Sequence, residues 1–239
     1  MLGVTALMGS ALYSRLALKP RNEVAQEEYY RAVYVLQSLG GPAAEEEEVI
    51  PPRVPYLDET ESLLHHPDKI LVLQQVADML AAADGSRPRA PLFEAYARLA
   101  LGERERAAAL LTRYVIESEY SARHYSLLCE NLYSLQDNTS LLLICREWAE
   151  RDSICLENRA YYLWAVLHNL GRHADAARSA EKDAGCLGWR AGVYAAKSRH
   201  ALGEAAQAEQ LVQKTVARFP NDGLQIRRLW EQLKDRETV

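Results

Sequence analysis

The feature that most restricts this chain is the spacing of its turns. Gly102, Gly171 and Gly203 are each followed five residues later by an alanine, Ala107, Ala176 and Ala208. With 12 glycines present, one or two such pairs arise by chance, and Gly85 with Ala90 reads as one of these. The intervals carry more weight: 171 to 203 is 32 residues, and 102 to 171 is 69, close to two repeats. A further turn is therefore expected near 136 or 137, where Gln136-Asp137-Asn138 stands between two helical stripes. Turns at 102, 137, 171 and 203 are separated by 35, 34 and 32 residues. A helix pair of that size cannot close a core alone, so its neighbours must prop it.

Helical periodicity supports this division. Ala107, Leu110, Leu111, Tyr114 and Val115 make one apolar stripe, and Tyr125, Leu128, Leu132 and Leu135 another. Others run through Leu156, Ala160, Leu163, Leu167 and Leu170, then through Ala205, Ala208, Leu211 and Val212. Loops this short between helices force antiparallel neighbours. Alternating β-branched runs are absent, so no strand is expected. The chain thus reads as all-α, with a solenoid of about four helix pairs over 88–239, closed by a capping helix through Ile226, Leu229, Trp230 and Leu233.

The N-terminal third reads differently. Residues 22–87 are expected to form a helical extension, with a helix over 22–39 ended by Gly40-Gly41-Pro42. A short helix begins at Asp58 and ends at His65-His66-Pro67, and another runs from Ile70 to Asp84-Gly85. Between them, 41–57 is rich in acid and proline, with Glu45 to Glu48 in a row, and is expected to be an extended, solvated loop. An acidic docking strip for a basic partner is the alternative. Residues 1–21 open with an uncharged run, Leu2 to Ser14, followed by Arg15, Lys19 and Arg21. Such a run is too short to span a bilayer and lacks a signal peptide's basic start. It reads as a buried or partner-binding helix, the stub of a membrane anchor, or a frayed end.

The period and the Gly-then-Ala turn resemble the tetratricopeptide repeat family. The last repeat matches best, because Phe219-Pro220-Asn221-Asp222 follows Gly203 and Ala208 where the family commonly places a proline and a turn. The resemblance covers roughly residues 88–221; the second repeat lacks both glycine and alanine. It implies that the first helix of each pair lines a groove that grips a protein or peptide. The groove residues would be Arg89, Tyr96, His124, Asn131, Asn158, Tyr161, His168, Arg190, Tyr194 and Lys197. Leu127, Tyr162 and Tyr194 stand where a carboxylate clamp would need polar residues, which argues against that mode of binding.

Catalysis has no residues to rest on. There is no GxSxG, phosphate loop, GxGxxG or HExxH, and the histidines are scattered. A net charge of −5 argues against a general hold on nucleic acid. Cys129, Cys145, Cys155 and Cys186 form no CxxC pair and are expected as small buried side chains in a reducing compartment, with one disulfide as the alternative. No cofactor or metal is expected. The functional expectation is a non-catalytic adaptor or assembly factor within a larger complex, cytoplasmic or membrane-associated. The alternatives are a chaperone for one client, or an accessory subunit of a membrane-bound enzyme held through residues 2–18.

Overall fold

The computed structural model describes residues 21–51 and 57–234, all of it helix and connecting turn, with no strand among the described residues. The apolar stretch before Arg21 and the prolines at 52 and 55 lie outside the described residues. No described helix is long and apolar enough to cross a membrane. The chain divides into two compact units, Met1–Glu119 and Tyr120–Val239.

The first unit contains α1 (Arg21–Ser38), α2 (Leu57–His65), α3 (Lys69–Ala83), α4 (Ala90–Ala100) and α5 (Arg104–Glu117). The buried face of α1 is a helical stripe of Tyr29, Ala32, Val33 and Leu36, no more than 3% exposed. It packs on α3 and α4, and Tyr29 meets Phe93 edge to face at 6.3 Å. Asp68 starts α3 by accepting from the Ile70 and Leu71 N–H groups, which otherwise lack partners in a first turn. Within α4, Glu94 and Arg98 are both buried and paired at 3.2 Å. Arg106 also reaches Glu94 at 3.3 Å, and Glu103 reaches Arg98 at 3.2 Å, so the buried charges are multiply satisfied.

One expectation fails here. The acidic stretch is not simply extended and solvated: residues Pro42–Glu45 coil into one 3-10 turn, and Ala43 and Glu46 are buried. Arg89, just before α4, and Tyr96, within it, both donate to the Glu46 carboxylate, which offsets its removal from water.

The second unit stacks three hairpins and a cap. They are α6 (Ala122–Ser134) with α7 (Asn138–Arg151), α8 (Glu157–Asn169) with α9 (His173–Lys182), and α11 (Arg190–Ala201) with α12 (Ala205–Arg218). The short α10 (Ala184–Leu187) precedes α11, and α13 (Gly223–Lys234) closes the stack on Ile226, Trp230 and Leu233.

All four expected turns share one backbone device. At Gly102, Gln136, Gly171 and Gly203 φ is +79°, +57°, +70° and +82°. At each, the turn residue donates to the carbonyl three residues back, and the next residue to the carbonyl five back. Gly102 N–H reaches Leu99 O at 3.0 Å and Glu103 N–H reaches Arg98 O at 2.9 Å. The same pair of bonds recurs at Gln136 and Asp137, at Gly171 and Arg172, and at Gly203 and Glu204. This Schellman closure leaves few orphan carbonyls and reverses the chain tightly. Ala107, Ala176 and Ala208 are fully buried five residues on; Leu141 holds that place in the odd repeat. Pro220, exposed, opens a single 3-10 turn between α12 and α13. In the last hairpin a Cβ on Gly192 would lie 2.0 Å from Thr215 Oγ1, so α11 and α12 meet where only glycine fits.

Candidate functional site

In the second unit, the first helices α6, α8 and α11 bring aromatic side chains together. Tyr161 lies at the centre of this shelf, half-buried, with ring centroids 5.3 Å from Tyr162, 5.7 Å from Tyr194, 6.0 Å from Trp164 and 6.2 Å from Tyr133. Beneath it, Trp164 stacks on Tyr194 at 4.2 Å and 15°. The Trp164 indole donates to Tyr194 O at 3.1 Å and to Ser198 Oγ at 3.0 Å, so the buried N–H is satisfied. Burial raises the Tyr194 hydroxyl to about 12, and Tyr161 adds to the effect. Polar groups edge the shelf. Exposed Asn158 donates to Ser126 Oγ at 3.0 Å, linking α8 to α6, and Arg190 pairs with Glu157 at 3.1 Å.

The expected groove residues therefore divide by exposure. Asn158, Tyr161 and Arg190 reach solvent in the second unit. His124, Asn131, His168, Tyr194 and Lys197 are each at most 8% exposed and lie within the packing between helices. In the first unit Arg89 is half-buried and Tyr96 is 4% exposed, both engaged by the acidic turn. Tyr133 and Tyr162 complete the shelf and were not among the expected lining residues. Their signal was present: the Tyr161-Tyr162 pair and the tyrosine near the end of α6 put aromatic rings on adjoining first helices.

His168 is packed between the Trp164 ring at 5.6 Å and the His173 ring at 4.6 Å, with Nδ1 3.3 Å from Ser198 Oγ. Burial, then the neighbouring His173 and Lys197, lower its pKa to about 4 from 6.5. The folded chain thus holds it neutral where the unfolded chain protonates it. Its contribution is complete above pH 6.5 and is lost as pH falls toward about 4. Urea titrations should show about 1–3 kcal/mol of stability lost over that window, and His168→Phe should flatten that part of the profile. Identical slopes for the two proteins would remove His168 as the cause.

Among the described residues, Cys155, Asp183 and Cys186 form the only group of three potential metal ligands within mutual reach. Two of the three are spent, because Cys155 and Cys186 are joined in a disulfide with Cα atoms 5.8 Å apart, an ordinary span for such a bond. Cys129 and Cys145 are buried thiols with sulfurs 4.0 Å apart, as expected for all four cysteines. The expectation fails for the other pair because the approach to α8 and the short α10 bring Cys155 and Cys186 together.

No family model matches the chain, and no curated protein matches it. Solved structures do. The crystal structure of MamA protein is 16% identical, with a TM-score of 0.53, covering 69% of this chain and 88% of that one. YrrB, described as a TPR protein with an unusual peptide-binding site, is 13% identical, with a TM-score of 0.52, covering 71% of this chain and 89% of that one. At these identities the likeness is one of fold. The class is an all-α, tetratricopeptide-like helical-hairpin solenoid, as the turn spacing predicts.

Proposed function

We propose that the second unit is a non-catalytic binding scaffold that grips an extended protein segment along the tyrosine shelf, as an adaptor or assembly factor in a larger complex. The observation that carries this reading is the half-exposed Tyr161 ring, set among Tyr133, Tyr162 and Tyr194 and flanked by Asn158 and Arg190. Tyrosines offer apolar area at low entropic cost, and an asparagine amide can hold a peptide backbone. That YrrB, of similar fold, is described as having a peptide-binding site supports reading this chain as a binder of a protein segment. A single-client chaperone would use the same shelf and differ in binding the client only before assembly. Attachment through residues 2–18 rests on a stretch outside the described residues, and cytoplasmic placement rests on four cysteines read as free thiols. The Cys155–Cys186 bond favours an oxidising compartment instead.

Tyr161→Ala with Asn158→Ala is the discriminating variant, because Asn158 is exposed and Tyr161 half-buried at the edge of the core, whereas Tyr194 lies within it. Affinity capture from native cells, read by mass spectrometry, should lose its specific partners with this variant. The expected loss is about tenfold or more in affinity at unchanged circular dichroism. Undiminished capture would dispose of the shelf as the binding surface.

A further inference from the structure

The first unit carries a second feature of a different kind. Its acidic turn is held on α4 by a carboxylate-reading pair. Arg89 donates to Glu46 Oε2 at 2.7 Å, and the Tyr96 hydroxyl donates to Glu46 Oε1 at 2.8 Å, so both oxygens of one carboxylate are engaged. The other arm of Arg89 reaches Glu48 Oε2 at 3.2 Å and the backbone oxygen of Glu47, and Gln37 Nε2 donates to Glu46 O at 2.9 Å. Charge-assisted pairs of this geometry are among the strong hydrogen bonds. Apolar burial adds little: Ala44, Glu45 and Glu47 are exposed and Val49 is 87% exposed, which leaves Ala43 as the only buried apolar side chain in the stretch. Beside Ala43 lies an open cavity of about 360 Å³, walled by Leu36, Leu39, Leu73 and Tyr96. Ala43 is itself among the lining residues, so a larger apolar side chain at its place has space beside it to make contacts that alanine cannot.

We propose that the Arg89–Tyr96 face is a docking site for an acidic segment, and that residues 42–48 occupy it in cis as an intramolecular competitor. The segment that fits best carries a bulky apolar residue, a glutamate three positions on and a second glutamate two positions after that. This is the register of Ala43, Glu46 and Glu48 with the alanine enlarged into the cavity. The partner is thus an acidic peptide, not the basic one an exposed glutamate run would attract. It takes the place of the chain's own turn. This site is separate from the tyrosine shelf and stands or falls without it.

The probe is a fluorescein-labelled peptide with the sequence of residues 42–50 and leucine in the place of Ala43, followed by anisotropy. A tethered competitor acts at an effective concentration near millimolar, so Glu46→Gln with Glu48→Gln should raise the peptide's affinity about tenfold or more over the unaltered chain. Arg89→Ala in that background should abolish binding, Tyr96→Phe should weaken it severalfold, and the alanine peptide should bind less well than the leucine one. No saturable binding to the folded opened chain, or equal affinity with and without the two glutamates, overturns the proposal. Should the double variant fail to fold, excess peptide added to the unaltered chain should strip hydrogen-exchange protection from residues 43–48. Unchanged protection there overturns it as well.

Discussion

Replacing Trp164 with alanine is expected to remove about 3–5 kcal/mol of stability, the range for deleting a fully buried indole. The side chain is 0% exposed and has three roles at once. It stacks on Tyr194 at 4.2 Å, backs His168 at 5.6 Å, and donates to both Tyr194 O and Ser198 Oγ. Trp164 belongs to α8 while Tyr194 and Ser198 belong to α11, so the truncation opens a cavity between successive hairpins rather than within one. Such a stack is held by its nearest-neighbour interfaces, so the loss falls on its cooperativity as well as its midpoint. Urea unfolding followed by circular dichroism should show the drop, with Trp164→Phe intermediate because it keeps a ring but loses the donor. A loss below about 1 kcal/mol for the alanine variant would contradict the packing described.

Reducing the Cys155–Cys186 bond is expected to cost nearly as much. The two residues are 31 apart in sequence, and freeing a loop of that length returns about 3–4 kcal/mol of chain entropy to the unfolded state. The bond joins the approach to α8 with α10, the short helix before α11, so its loss frees a tie between the starts of two successive hairpins. Unfolding measured with and without reductant gives the magnitude, and Cys155→Ser should reproduce the reduced value and abolish the effect of reductant. The prior question is settled by counting thiols. The denatured, unreduced chain should titrate as two of its four cysteines, and four reactive thiols would dispose of the bond.

The helical stack was legible in the sequence because its determinants are local. A left-handed turn residue followed by a small buried one leaves a mark every few dozen residues, and even the odd repeat showed its bend through Gln136-Asp137-Asn138. The groove was less legible. A register argument places His124, Asn131 and His168 on first helices but cannot tell a groove-facing position from one pressed against the next hairpin. The contacts of Glu46 were beyond reach for another reason. Four consecutive glutamates read as solvated unless a partner more than forty positions away supplies the cation, and Arg89 is 43 residues on. The disulfide was hidden likewise, since its cysteines meet only after α8, α9 and α10 have packed.

Gln136 occupies at +57° a bend that its three counterparts hold with glycine. A residue with a Cβ in that conformation carries a standing penalty of roughly 1 kcal/mol, which the glycine bends escape. Asp137, the next residue, caps α7 by accepting from the Ser140 N–H at 3.1 Å, a bond that the caps at Glu103, Arg172 and Glu204 lack, and so offsets the penalty. Without that cap, as in Asp137→Ala, the amides around this bend would trade hydrogen with water before those at 102, 171 or 203 do.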